Sequence, residues 1–194
     1  MTLPNLLTAG RIGLTGLFML ALLSHGLPAK LWALLLFGLA CLTDLLDGWL
    51  ARRWHQESSW GALMDPIADK ILVLAAFLSF VQLNLVPAWM VVLIVSREFL
   101  ITGLRLVAVR QGVVLPAERE GKHKTVSQMV AITAALLFLV ARECSAGHPG
   151  ARAAVAMARW GGLGLRLLMG LTVVLTMTSG VSFLWRHREL FRPR

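Results

Sequence analysis

Residues 31 to 50 read LWALLLFGLACLTDLLDGWL, an almost wholly apolar stretch that two aspartates, Asp44 and Asp47, interrupt near its end. A run of about 20 apolar residues is long enough to cross the roughly 30 Å hydrocarbon core of a bilayer as an α-helix. This stretch therefore predicts a membrane-spanning helix that carries two acidic side chains.

The rest of the chain repeats this apolar pattern. Its 194 residues are 57% hydrophobic and 15% charged, with a mean hydropathy of +0.73, whereas about a quarter of an ordinary soluble domain is charged. The composition excludes a soluble domain and predicts a single all-α integral membrane domain over residues 1–194. Six spans are predicted, at about 6–23, 31–50, 62–84, 87–109, 125–141 and 161–185.

The basic residues predict the orientation of the chain. It contains 19 Lys and Arg against 10 Asp and Glu, a formal net charge of +9. With both termini in the cytoplasm, twelve basic side chains lie on the cytoplasmic side and four lie in outer loops. This positive-inside bias is typical of membrane proteins, so the charge favours anionic lipid as a partner and not nucleic acid. Only two cysteines, Cys41 and Cys144, are present, which supports neither a disulfide framework nor a thiolate metal site.

Four aspartates lie within predicted spans, where an unpaired carboxylate costs roughly 3 kcal/mol or more. Asp44 and Asp47 are three positions apart on the second span, so they share one helical face. Asp65 and Asp69 are four positions apart on the third span and share a face in the same way. Because a short cytoplasmic connection joins the two spans, the four carboxylates are predicted to converge just inside the cytoplasmic surface of the membrane.

Four converging carboxylates require neutralising cations. Hard divalent ions such as Mg²⁺ or Mn²⁺ prefer oxygen ligands and leave coordination positions for substrate phosphates. The alternative is a structural set of salt bridges in which Asp65 or Asp69 pairs with Lys70 or Arg52.

The residues beside the aspartates favour a ligand site. Gly48 and Ala51 follow the second aspartate, and Gly61 precedes the third by four positions. Small side chains let helices approach closely and leave room for a ligand against the backbone. Arg52 lies next to Ala51, where its guanidinium can reach a pyrophosphate.

The complete pattern resembles the signature of the CDP-alcohol phosphotransferase family. It runs Asp44-x-x-Asp47-Gly48-x-x-Ala51-Arg52, then eight residues, Gly61, three residues, Asp65, three residues and Asp69. The resemblance implies a homodimer of six-helix subunits in the bacterial cytoplasmic (inner) membrane, with the active site on the cytoplasmic side. The implied reaction transfers a phosphatidyl or related group from a CDP-linked donor to an alcohol and releases CMP.

The same resemblance implies roles for the residues of the pattern. Two divalent cations, Mg or Mn, would be held by the four aspartates, and Asp69 would also be the general base. The residues implied to bind the CDP donor are Asn5, Thr8, Asp44, Gly48, Ala51, Arg52 and Gly61. For Asn5 and Thr8, a helix cap and an interfacial anchor explain the residue types equally well.

Two further stretches indicate the acceptor. SREFLITGLR at 96–105 and GKHKTVSQM at 121–129 resemble the branch of this family that joins CDP-diacylglycerol to glycerol 3-phosphate. Four basic residues are thereby implied to bind the phosphate of the acceptor: Arg97, Arg105, Lys122 and Lys124. Little of the signature follows residue 141, and a long outer loop is predicted over residues 142–159, between the fifth and sixth spans.

Positive-inside anchoring explains Arg105 about as well as phosphate binding does. Arg97 is different, because a guanidinium within a span needs a partner. Glu98 is a candidate partner, although adjacent positions on a helix face apart.

Three alternative functions compete with this interpretation. A related enzyme of the same family could use inositol phosphate, serine or phosphatidylglycerol as acceptor. A cation transporter would place its acids across the membrane thickness, whereas these gather at one side. An inactive relative would have lost at least one of the four aspartates, and all four are present.

Overall fold

The computed structural model describes residues 3–54, 59–110, 119–146 and 152–188, with side chains described for 10–43, 70–109, 125–145 and 159–188. Within these ranges the regular structure is entirely helical, which confirms the predicted all-α class. The helices are α1 (Leu3–Leu23), α2 (Leu27–Trp54), α3 (Ser59–Gln82), α4 (Ala88–Arg110), α5 (Arg119–Ala146) and α6 (Arg152–Arg186).

Each predicted span overlaps one of these helices. In the described part of the chain, two stretches are long and apolar enough to cross a membrane, Thr125–Ser145 in α5 and Arg159–Arg186 in α6. Shorter apolar segments lie in α1, α2 and α3. The protein is therefore all-helical with helices able to span a bilayer, while the number of spans, the side on which the termini lie and the homodimer remain predictions.

Two helices extend well beyond the predicted spans. A long outer loop was predicted for residues 142–159, and this prediction is wrong for most of the segment. Residues 142–146 belong to α5, and residues 152–159 belong to α6. Apolarity marks only the part of a helix that lies in lipid. Backbone hydrogen bonding continues past that part, so a polar or charged segment beyond the hydrocarbon core stays helical.

The connection between α3 and α4 is a compact helix cap. Asn84 has a φ of 56°, in the left-handed region that Asn tolerates better than most residues. The backbone N–H of Leu85 donates to the Phe80 carbonyl, and that of Asn84 donates to the Val81 carbonyl, each over 3.0 Å. This pair of bonds is a Schellman motif, which satisfies carbonyls at the end of α3 and turns the chain toward α4.

The connection between α1 and α2 is closed by a lysine. Lys30 is only 4% exposed. Its Nζ donates to the backbone carbonyls of Leu22 and Ser24 over 2.6 and 2.7 Å. These carbonyls lack helical partners at the end of α1, so the ammonium group caps the helix and fixes the entry into α2.

A single apolar core runs between the helices. α1 packs against α2 and α3, α6 packs against α4 and α5, and α5 also contacts α2 and α3. In the core, the rings of Phe18 and Phe37 join α1 to α2 with centroids 5.8 Å apart. Fully buried phenylalanines from α3 and alanines and leucines from α5 complete it. The core is thus continuous from the first helix to the last.

The outer surface of the bundle is also apolar. Leu20 of α1 is 68% exposed, and large aliphatic side chains such as Leu39, Val92 and Leu171 are exposed on other helices. Soluble monomers rarely expose contiguous apolar patches of more than a few hundred Å². A surface of this kind suits contact with lipid, where only helices and closed barrels satisfy their backbone groups.

A close contact between α5 and α6 yields a prediction about stability. A Cβ on Gly161 would lie 2.5 Å from Cε2 and 2.7 Å from Cδ2 of Phe138, whereas a Cβ on Gly162 would meet nothing within 4 Å. We expect Gly161→Ala to lower the stability by about 1–3 kcal/mol through overpacking, and the matched Gly162→Ala to leave it unchanged or slightly raised. Thermal unfolding in detergent measures both, and equal melting temperatures would contradict this account of the contact.

Candidate functional site

The four predicted metal-binding aspartates lie on helical backbone, on either side of residues 55–58. Asp44 and Asp47 are in the second half of α2, and Asp65 and Asp69 are in the first half of α3. The predicted helical spacing of each pair is therefore confirmed. Several residues predicted to bind metal or substrate lie outside the ranges in which side chains are described, so the contacts predicted for them remain predictions. These residues are Asn5, Thr8, Asp44, Asp47, Gly48, Ala51, Arg52, Gly61, Asp65, Asp69, Lys122 and Lys124.

Among the side chains that are described, no three His, Cys, Asp or Glu residues come together as a set of metal ligands. The described part of the site is instead formed by basic and polar side chains of α3, α4, α5 and α6. These side chains surround the positions at which the acceptor residues Arg97 and Arg105 were predicted.

A lysine beside the aspartates links α3 to α4. Lys70 follows the proposed general base directly in the chain, and its Nζ donates a hydrogen bond to Thr102 Oγ1. Thr102 lies on α4 between Arg97 and Arg105. The aspartate-bearing part of α3 is thus held next to the arginine-bearing segment of α4. Thr102 could not be singled out from the sequence, because a lone threonine in an apolar helix carries no distinctive signal.

Arg97 is buried at 8% exposure and held by two other side chains. Its Nη1 lies 3.5 Å from Glu98 Oε1, so the predicted partner is confirmed. Its Nη2 donates to Ser179 Oγ of α6 over 2.7 Å. A guanidinium with both ends engaged has a defined direction, because its planar group cannot rotate without breaking these contacts.

Glu98 connects this arginine to α5. The amide Nε2 of Gln128, a buried residue, donates to Glu98 Oε1 over 3.5 Å. Gln128 lies within the stretch 121–129 that also contains Lys122 and Lys124. The two segments predicted to bind the acceptor are therefore joined by one side-chain contact, and both α4 and α5 pack against α6 and α3.

Arg105 is partly buried against the same face of α6. Its Cζ lies 5.4 Å from the centroid of the Phe183 ring, a cation–π arrangement. Phe183 is 1% exposed, and the His187 ring packs against it with centroids 4.6 Å apart. The guanidinium is docked on an aromatic ring inside the bundle, which distinguishes it from a basic residue that extends freely into the headgroup region.

The residues of α6 that contact both arginines were missed by sequence reasoning. Ser179 and Phe183 are one turn apart on α6, and they meet Arg97 and Arg105 of the parallel helix α4. A weak signal was present, since the polar residues Thr172, Thr176 and Ser179 recur at helical spacing and are all buried. Buried polar side chains in an apolar helix commonly face another helix.

The surface of α2 contains an apolar groove that is not part of this site. It has a volume of about 420 Å³ and is lined by Leu31, Leu34, Leu35, Gly38, Leu39 and Leu42. Its lining offers no side chain that binds a phosphate or a metal, so the groove belongs to the apolar outer surface.

Comparison with known proteins identifies the class. The family model described as CDP-alcohol phosphatidyltransferase matches residues 1–178, so the chain belongs to this family. It is 43% identical over 147 residues to the CDP-diacylglycerol–glycerol-3-phosphate 3-phosphatidyltransferase of Bacillus subtilis (strain 168), an alignment that covers 70% of this chain and 76% of that protein.

Two further relatives carry similar names. The protein is 43% identical over 133 residues to a probable phosphatidylglycerophosphate synthase of Mycobacterium tuberculosis (strain H37Rv), covering 67% of this chain and 63% of that one. It is 40% identical over 142 residues to the CDP-diacylglycerol–glycerol-3-phosphate 3-phosphatidyltransferase of Cereibacter sphaeroides, covering 71% and 63%. The chain thus spans somewhat less than two thirds of these two relatives.

Proposed function

We propose that this protein transfers the phosphatidyl group of CDP-diacylglycerol to glycerol 3-phosphate, giving phosphatidylglycerol phosphate and CMP. The observation that carries the proposal is the complete aspartate signature in a chain that is 43% identical to a relative named for this transfer. The buried Arg97, held between α4 and α6, supports an anionic acceptor.

The donor set at the aspartates fits divalent cations. The four carboxylates form a set of hard oxygen ligands, which suits Mg²⁺ or Mn²⁺. The residues that would hold two such ions are Asp44, Asp47, Asp65 and Asp69. When bound, the ions would supply positive charge that stabilises the pyrophosphate and the departing CMP. If the aspartates only formed structural salt bridges, α2 and α3 would have no chemical role.

Asp69 is the proposed general base. A carboxylate within hydrogen-bond reach of an alcohol accepts its proton as the oxygen attacks. Here the 1-hydroxyl oxygen of glycerol 3-phosphate would form a bond to the phosphatidyl phosphorus while the bond from that phosphorus to the CMP oxygen breaks. The hydroxyl proton passes to Asp69, and CMP leaves with the electron pair of the broken bond.

The remaining predicted residues would bind the two substrates. Around the aspartates, Gly48, Ala51, Arg52 and Gly61 would accommodate the nucleotide and pyrophosphate of the donor, with Asn5 and Thr8 near its headgroup. Arg97 and Arg105 from α4, with Lys122 and Lys124 from α5, would bind the acceptor phosphate. The Glu98–Gln128 contact supports this grouping, because it joins α4 to α5.

The substrates also favour a location for the site. A donor with acyl chains in the bilayer and a nucleotide in water requires a site close to the membrane surface, and the positive-inside pattern favours the cytoplasmic surface. We propose a multi-pass protein of the bacterial cytoplasmic membrane with both termini in the cytoplasm, assembled as a homodimer.

The proposed reaction is tested by measuring CMP release from purified protein in detergent. The assay supplies CDP-diacylglycerol and Mg²⁺ or Mn²⁺, and compares glycerol 3-phosphate, inositol phosphate, serine and no acceptor. We expect release only with glycerol 3-phosphate, and its loss when a chelator removes the divalent ions. Release with a different acceptor would overturn the acceptor assignment, and no release from folded protein would overturn the transferase proposal.

The base role is tested by Asp69→Asn. The amide keeps the size of the side chain but cannot accept the proton, so we expect kcat to fall by a factor of about 10²–10⁴. Glu143→Gln, the same change at a carboxylate near the other end of the bundle, serves as the control and should retain activity. Near-normal turnover by Asp69→Asn, with the melting temperature of the wild type, would remove this residue from the base role.

The acceptor role of the two lysines is tested by Lys122→Ala and Lys124→Ala. Each removes a positive charge proposed to bind the acceptor phosphate, so we expect the KM for glycerol 3-phosphate to rise about tenfold, a loss of about 1.4 kcal/mol. The KM for CDP-diacylglycerol should change little. Arg188→Ala, at a basic residue just beyond the end of α6, is the control. Equal effects on both Michaelis constants would indicate that the lysines only anchor the helix.

A further inference from the structure

Arg97 fits into a notch on α6 that two consecutive residues form. Ser179 accepts a hydrogen bond from Arg97 Nη2 over 2.7 Å. Gly180, the next residue, is buried directly beside the side chain of the arginine. The notch therefore provides both a polar partner for the guanidinium and space for the stem that carries it.

The space at Gly180 is closely matched to Arg97. A Cβ added there would lie 2.9 Å from Arg97 Cγ and 3.3 Å from Arg97 Nε. Contacts this short would displace the arginine side chain. By contrast, a Cβ on Gly170 of the same helix would meet nothing within 4 Å. The side chain of Arg97 thus leaves no room for a Cβ at position 180, whereas position 170 of the same helix has room for one.

The two ends of the guanidinium are held by different helices. Glu98, on the same helix as Arg97, approaches Nη1, while Ser179 of α6 binds Nη2. The ion pair compensates much of the cost of a buried charge. The serine adds little charge compensation, because its hydroxyl is neutral, but it sets the rotation of the guanidinium plane. A guanidinium has five N–H donors, so these contacts are compatible with binding a phosphate as well.

We propose that Ser179 and Gly180 are positioning residues for the acceptor site: they hold Arg97 in the orientation that binds the acceptor phosphate. Neither residue touches the substrate in this account, and both act through the arginine. The inference rests on the proposed function, and in particular on the acceptor role of Arg97. Both residues lie just beyond residue 178, where the match to the family model ends.

The hydrogen bond is tested by Ser179→Ala. A hydrogen bond to a charged group is worth roughly a factor of ten or more; because Ser179 acts on the acceptor only through Arg97, we expect part of this effect, a rise of about five- to tenfold in the KM for glycerol 3-phosphate. The KM for CDP-diacylglycerol should stay near the wild-type value, and the protein should remain folded. Ser179→Thr keeps the hydroxyl and should restore most of the acceptor affinity. Thr178→Ala, at the adjacent exposed position, is the matched control and should leave both Michaelis constants unchanged.

The space beside the arginine is tested by Gly180→Ala. We expect the same selective rise in the KM for glycerol 3-phosphate, whereas Gly170→Ala should have no such effect. If Gly180→Ala does not yield folded protein, Ser179→Ala alone decides the proposal.

A double-mutant cycle separates positioning from a structural role. In an Arg97→Ala background, Ser179→Ala should produce no further rise in the KM for glycerol 3-phosphate, because its effect passes through the arginine. Additive effects would overturn the proposal, as would a lowered melting temperature with an unchanged KM.

The controls distinguish this inference from the proposed function. Wild-type protein that turns over no phosphorylated acceptor would overturn both. Wild-type turnover with glycerol 3-phosphate, together with an unchanged KM in Arg97→Ala or in Ser179→Ala, would overturn the positioning role alone and leave the transferase activity standing.

Discussion

The structure depends on how an apolar bundle accommodates charged side chains. A charge within a bundle of this kind is costly unless a partner from the protein neutralises it or forms hydrogen bonds with it. Three of the described charges meet this requirement across helix boundaries: Lys30 caps α1 from α2, Lys70 of α3 binds Thr102 of α4, and Arg97 of α4 binds Ser179 of α6. Each such contact favours one helix arrangement over others, since a shifted helix would leave a charge unsatisfied.

The same contacts bring the two halves of the proposed site together. The Lys70–Thr102 hydrogen bond places the aspartate-bearing helix α3 beside α4. The Glu98–Gln128 contact then joins α4 to α5, two helices that both pack against α6. Under the proposed function, this arrangement sets the metal and donor residues next to the acceptor residues, as an in-line displacement requires. Helix α6 contacts the two arginines of α4: Ser179 binds Arg97, and Phe183 packs against Arg105.

Much of the site could be predicted from the sequence because its signals are local. Apolar runs of bilayer length identified the helices, and the spacing of the aspartates placed each pair on one helical face. Glu98 was a candidate partner of Arg97 although adjacent helix positions face apart, and the structure confirms the contact. The prediction of an outer loop at 142–159 was wrong. Apolarity marks only the part of a helix that contacts lipid, and α5 and α6 continue beyond that part. The packing of Arg105 on Phe183 was not predictable, because the two residues are far apart in sequence.

The sequence by itself determined the helical class, the family and the residue types available for chemistry. These properties follow from composition and from spacing along one or two helices. Only the tertiary structure decided which helices are neighbours and which side chains hold the arginines in place. The helical spacing of Thr172, Thr176 and Ser179 marks only a polar stripe on α6, and nothing local distinguishes Gly180 from the other glycines of that helix. The significance of Ser179 and Gly180 arises from the close approach of α6 to Arg97 of α4, a contact between residues 82 positions apart in the chain.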